Sequence, residues 1–159
     1  MSTVIIDRFD VGHLVEGLLG RDVTIDVSTE VVPHPATYRG LVTDQDELVA
    51  VLGSDISFAH RSAAALAMIP IGRVEDVGDN PEPDFLEIYS EIANVLSRVV
   101  NEAMPSRVRL DPGIDHPTDD VEHVISNGQL IFGATVSIAG YGSGSLGIWH
   151  LAAASEIAA

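Results

Sequence analysis

Between Pro83 and Met104 the chain carries an apolar series that only a helix can gather onto one side. With residues placed about 100° apart, Phe85, Leu86, Ile88, Tyr89, Ile92, Ala93, Leu96, Val99, Val100 and Ala103 fill one broad arc. Glu87, Glu91, Asn94, Arg98 and Asn101 fall together on the opposite side. Pro81 and Pro83 suit the entry to such a helix, Asp79 or Asn80 offers a capping side chain, and Pro105 stops it. A helix this long with so wide an apolar arc must be laid on something equally apolar. The rest of the chain has to supply that surface.

It supplies strands. Arg21–Ser28 alternates Val23, Ile25 and Val27 with Asp22, Thr24, Asp26 and Ser28, the period-two pattern of a half-buried strand. Tyr38–Thr43 and Leu48–Leu52 read as two strands around Asp44-Gln45-Asp46, after a turn punctuated by Pro33 and Pro35. Ser106–Leu110 reads as another, and Gln129–Ala139 with Ser145–Ala152 as a hairpin across the Gly-rich Gly140–Gly144. Two further helices are expected. Val11, Leu14, Val15, Leu18 and Leu19 share one helical face before Gly20, and Ser57–Ile69 is an Ala-rich helix ended by Pro70. Pro70–Pro83 and the acidic Asp111–Asp120 read as loops. Short alternating strands joined by tight turns favour an antiparallel sheet, with three helices packed on one of its faces. The fold class is therefore α+β, an antiparallel β-sheet with helices packed on it, and residues 1–159 are expected to form a single domain.

Charge narrows the chemistry. Twenty-four acids face eight bases, all of them Arg, for a formal net charge of −16. Such a chain repels nucleic acid and anionic lipid, which need clustered cations. Without lysine there is no Schiff-base or P-loop chemistry, and without cysteine no disulfide or thiolate metal site. No run of about 18 apolar residues exists to span a bilayer. The opening MSTVIIDRFD lacks the basic and apolar regions of a signal peptide, so the expected location is the cytoplasm.

The polar stripe of the long helix is the candidate site. Glu91 and Asn94 stand at i and i+3, so their side chains emerge side by side; Glu87 lies one turn earlier, and Arg98 is placed to tether either from the far side. Spacing alone favours an ordinary solvated helix face. A longer pattern adds to it. Glu91-x2-Asn94 is followed after 22 residues by Pro117, with Glu87 four residues before Glu91. This arrangement resembles the signature of the CheC/CheX/FliY family of chemotaxis response-regulator phosphatases. The order of helix, strands, short helix, motif helix and final strands is similar over nearly the whole chain. Two positions depart from the family pattern: Glu87 stands where Asp or Ser is usual, and Val95 where Met is frequent. The first helix has no second Glu-x-x-Asn, because Leu19 follows Glu16 at the position of the amide, which resembles the single-site CheX branch.

The resemblance implies a CheX-like fold and hydrolysis of the aspartyl phosphate of a receiver domain. Asn94 would position the attacking water, a task suited to an amide that donates and accepts without titrating. Glu91 would dock a lysine of the receiver, with Glu87 and Pro117 as supporting motif positions. No cofactor is expected on this chain, the Mg2+ belonging to the partner receiver. A non-catalytic binding module for a receiver or flagellar-switch protein is the alternative on the same scaffold. A homodimer is also expected; the apolar hairpin Leu130–Ala139 and Ile148–Ala154 reads equally as an edge for it or as part of the core.

Other constellations carry less. Gly140–Gly147 has the glycines of a phosphate-cradling loop, but a β-rich run follows it where such a loop needs a helix, so it reads as a hairpin turn. Asp115, His116, Asp119, Asp120, Glu122 and His123 cluster in sequence, yet match no familiar metal-ligand spacing and suit an acidic turn. No Gly-x-Ser-x-Gly elbow is present for serine hydrolysis.

Overall fold

A computed structural model of the chain describes residues 4–28 and 35–152. The first helix, α1 (Arg8–Leu19), starts three residues before the apolar series because the Asp7 side chain accepts the N–H of Phe9 at 2.7 Å. Gly20 closes it in the left-handed region at φ 66°. β1 (Val23–Val27), β2 (Thr37–Thr43) and β3 (Leu48–Ser54) follow in the expected places. Then come α2 (Ile56–Leu66), α3 (Ile71–Val77), α4 (Pro83–Ala103), β4 (Val108–Asp111), α5 (Asp119–Asn127), β5 (Gln129–Ile138) and β6 (Gly142–His150). Pro33 lies outside the described residues.

All pairings are antiparallel, and the six strands run in the order β1-β5-β6-β3-β2-β4. The α+β class expected from the strand pattern is the observed one. Of the two readings of the apolar hairpin, edge or core, the core reading holds: β5 is flanked by β1 and β6, and β6 by β5 and β3, so both are interior strands with both ladders used. Their apolar character reflects that central position. Among the described residues, the free edges belong to β1 and β4.

The sheet is covered on both faces. Ala50 and Leu52 of β3, Leu146 and Ile148 of β6, and Phe132, Ala134 and Val136 of β5 point to one side, where α1, α2 and α4 supply Val11, Val15, Phe58, Ala63, Ile92 and Leu96. Burying each of the larger side chains contributes about 1.5–3 kcal/mol. On the other side, Val51 and Trp149 pack beneath Val121 and Val124 of α5. The expectation of three helices on one face therefore holds for α1, α2 and α4, while α5 was hidden in a segment whose acids masked its two apolar contacts.

Two further segments differ from the sequence reading. Residues 71–77 form the short helix α3 inside what reads as a loop; only Val74 is buried, so it has almost no periodic signature. The hairpin turn is shorter than Gly140–Gly144, since Gly142 and Gly144 already belong to β6. Gly144 is required by proximity: a Cβ there would lie 2.2 Å from the backbone nitrogen of Phe58, where the start of α2 presses on the strand. The Asp55 carboxylate locks this junction, accepting from Phe58 N–H at 2.7 Å and Ser145 N–H at 3.1 Å.

Candidate functional site

The helix α4 is oriented by contacts on every side except one. Phe85, Tyr89, Ile92, Ala93, Leu96 and Val100 are buried on the sheet side, with Tyr89 edge-on to Phe58 at 5.9 Å between centroids. Its N-cap is Glu82 rather than Asp79 or Asn80. The Glu82 N–H donates to Nε2 of the buried His60 at 3.1 Å, so α2 fixes where α4 begins. At the other end, Asn101 Oδ1 accepts the N–H of Val108 at 2.8 Å and holds the chain as it enters β4. Asn101, which the stripe groups with the candidate site, is a structural tether.

The side left open carries Glu87, Glu91 and Asn94, all exposed. Glu91 and Asn94 stand one turn apart on the same face, and Glu87 continues the row toward the N-terminus. Among the described residues no hydrogen bond or ion pair engages these three side chains. Arg98 is exposed and forms no ion pair with Glu91 among the described residues; it lines a groove toward α1 with Asp10 and His13. The row therefore presents two carboxylates and an amide to solvent, free to meet an external donor.

Sequence reasoning missed Arg39. On β2 it shares the phase of the buried Leu41, an unusual place for a cation and the one signal that could have marked it. Its guanidinium donates to Ser90 Oγ of α4 at 3.2 Å and to the Tyr38 carbonyl at 2.8 Å, and stands 5.8 Å from the Tyr89 ring centroid. A hydrogen bond from His116, 3.0 Å away, is the main reason the Asp115 carboxyl titrates below its usual range, and the charge of Arg39 adds to it. The loop that carries Pro117 is tied to β2 next to Arg39, where Gly40 N–H donates to the Ile114 carbonyl at 3.0 Å.

Pro117 itself is exposed, one residue before Thr118, whose hydroxyl accepts Val121 N–H and caps α5. The fold brings Glu87, Glu91 and Asn94 together on one helix and places Pro117 at the entry to an element on the opposite sheet face. The acidic and imidazole cluster is divided: Asp115 and His116 pair in the loop, while Asp119, Asp120, Glu122 and His123 belong to α5. Among the described residues no group of three or more His, Asp or Glu converges as a metal site. No described helix is long and apolar enough to cross a membrane.

No protein-family profile matches the chain, and no curated protein matches it in sequence. Solved structures do match in shape. The FliM middle domain from H. pylori superposes with a TM-score of 0.60 at 14% identity, covering 89% of this chain and 83% of that one. FliM from the FliM-SpeE complex of H. pylori gives 0.59 at 13% identity, covering 89% and 80%. This chain has the fold of the FliM middle domain, which is also the fold of the CheC/CheX/FliY group.

Proposed function

We propose that this chain is a protein-docking module built on the flagellar-switch fold, binding a receiver domain or a switch protein through the polar face of α4. One observation carries the reading: Glu87, Glu91 and Asn94 form an exposed row that the fold does not use, on a helix held at both ends and from below. A rigid helix presents such groups with little ordering cost on binding. Two carboxylates beside an amide suit a partner with a lysine or arginine flanked by polar backbone. The similarity to FliM middle domains, one of them in complex with another protein, favours binding over catalysis. Residues 1–159 act in this reading as a single CheX-like domain.

A second reading adds hydrolysis. The i, i+3 placement of Glu91 and Asn94 on an open face is what a docking anion beside a water-orienting amide requires. The partner would then be an aspartyl-phosphorylated receiver, with Mg2+ held by that receiver.

One experiment separates them. A phosphorylated receiver domain from the same genome is titrated into the 15N-labelled chain while phosphate release is followed. Binding that shifts α4 amides and is lost in Glu91→Arg, with release unchanged from the receiver alone, supports the docking module. Accelerated release that Asn94→Ala abolishes supports the phosphatase. Binding that leaves the α4 amides unmoved overturns both.

A further inference from the structure

Among the described residues, the outer edge of β1 is an open hydrogen-bonding ladder at a cleft, and its two halves are treated differently. The even-numbered positions face β5: Asp22 O accepts Ala139 N–H, and Ser28 N–H donates to Gly133 O. The odd-numbered amides therefore point outward. The first of them, Val23 N–H, is taken by the Glu16 carboxylate of α1 at 3.1 Å. The next two, Ile25 and Val27, have no acceptor among the described residues. Between α1 and this edge lies a cleft of about 390 Å³ lined by Phe9, His13, Glu16 and Ile25. Phe9 is 61% exposed and Val27 57%, two of the four large apolar side chains, with Ile5 and Met68, that the described residues leave exposed.

Charge decides what fits. Asp22 and Asp26 stand on the outer face of β1, exposed and without an ion pair among the described residues. The nearby cations are turned to other tasks: Arg8 lies over Phe9 at 4.9 Å, and Arg21 reaches Ala139 O and lies over Tyr141 at 4.7 Å. A second copy pairing edge to edge would set even positions against even ones, bringing the Asp22 and Asp26 rows of two strongly acidic chains together. Acidic residues of this kind guard an edge against its own kind. They invite the opposite charge.

We propose that the β1 edge is a second docking site, distinct from the α4 face, which takes a short extended segment of another protein by strand addition. Its occupant alternates basic residues, set against Asp22 and Asp26, with apolar ones set against Phe9 and Val27. The outward groups of Ile25 and Val27 supply the main-chain bonds and the alternating pattern supplies the selection.

The probe is a synthetic seven-residue peptide alternating lysine and valine, capped at both ends, titrated into the full chain and followed by amide exchange. Ile25 and Val27 amides should gain protection, and Val27→Pro, which removes an outward N–H, should weaken binding roughly tenfold. Asp22→Asn with Asp26→Asn should weaken it by a similar factor, and a glutamate–valine peptide should not bind. Equal affinity for Val27→Pro would mean that charge alone attracts the peptide, and the proposal falls. It falls equally if the double Asn variant binds as tightly as the parent. Protection of Ile25 and Val27 that rises with protein concentration alone would make a second copy the occupant and overturn the basic strand.

Discussion

Nε2 of His60 accepts the N–H of Glu82, so a buried imidazole in the middle of α2 anchors the N-cap of the helix that carries the candidate site. The ring also packs against Phe85 at 5.2 Å. Only a neutral imidazole can accept there, since protonating Nε2 would set two donors face to face. Burial lowers the His60 pKa below its ordinary 6.5, with the Glu82 and Asp79 carboxylates and the Gly78 backbone opposing it.

The direction of the pH effect follows. The unfolded chain takes up a proton near the ordinary histidine value, whereas the folded chain resists until lower pH. The His60 contribution is therefore fully present above pH 6.5 and is lost as the pH falls toward the lowered native value. Urea midpoints measured at pH 7.5 and 5.5 should drop at the lower pH. His60→Gln, which can accept without titrating, should flatten that dependence while lowering stability at pH 7.5. An identical pH slope in the variant would dissociate the latch from acid sensitivity.

The two asparagines of the α4 stripe should separate by stability. Asn101→Ala leaves the N–H of buried Val108 without its acceptor, a loss of about 1–3 kcal/mol in chemical denaturation. Asn94→Ala and Glu91→Ala remove no side-chain bond among the described residues and should stay within about 0.5 kcal/mol of the parent. A large loss from Asn94→Ala would mean that the amide serves the fold.

Arg39 should be visible through Asp115. His116→Ala should move the Asp115 titration up toward the ordinary carboxylate value, and Arg39→Met should move it the same way by less, because the His116 hydrogen bond is the larger cause. Side-chain carbonyl chemical shifts followed against pH report both. An unmoved Asp115 in Arg39→Met would place the loop farther from α4 than the guanidinium reaches.

How much was legible follows from how each element earns its place. α4 and α1 pay for their order with apolar arcs, and those arcs are written in the sequence. The alternation of β1 is equally plain, because a half-buried strand repeats every two residues, whereas β2 and β3 are covered on both faces and show instead as short apolar runs beside a turn. α5 was not legible, since only Val121 and Val124 are fully buried and Asp119, Asp120, Glu122 and His123 gave the segment the look of a turn. Strand order was not legible either: an interior hairpin and an apolar edge have the same composition, so β5 and β6 read equally as either. Period put Glu87, Glu91 and Asn94 on one stripe with Arg98 and Asn101, and the family resemblance carried by the spacing to Pro117 singled them out. Their neighbour Arg39 was not legible, because contact between β2 and α4 depends on how distant segments pack.

Two glycines give the sharpest contrast between space and conformation. Gly17 lies exposed in α1, and a Cβ there would meet nothing within 4 Å. Gly17→Ala removes the backbone freedom that a helical glycine loses on folding and should stabilise the chain by about 0.5–1 kcal/mol. Gly144 is the reverse case. Its added methyl would lie 2.2 Å from Phe58 N and 2.5 Å from Phe58 Cα, both backbone atoms held by the Asp55 cap, so no side chain can swing aside. Gly144→Ala must push α2 away from β6, a cost of about 1–3 kcal/mol or more. Because His60 lies on that same helix, the displacement should also disturb the N-cap of α4, seen as shifted amide resonances for Glu82 and its neighbours. Matching midpoints for Gly144→Ala and the parent would show that α2 is not seated against the strand as tightly as these distances require.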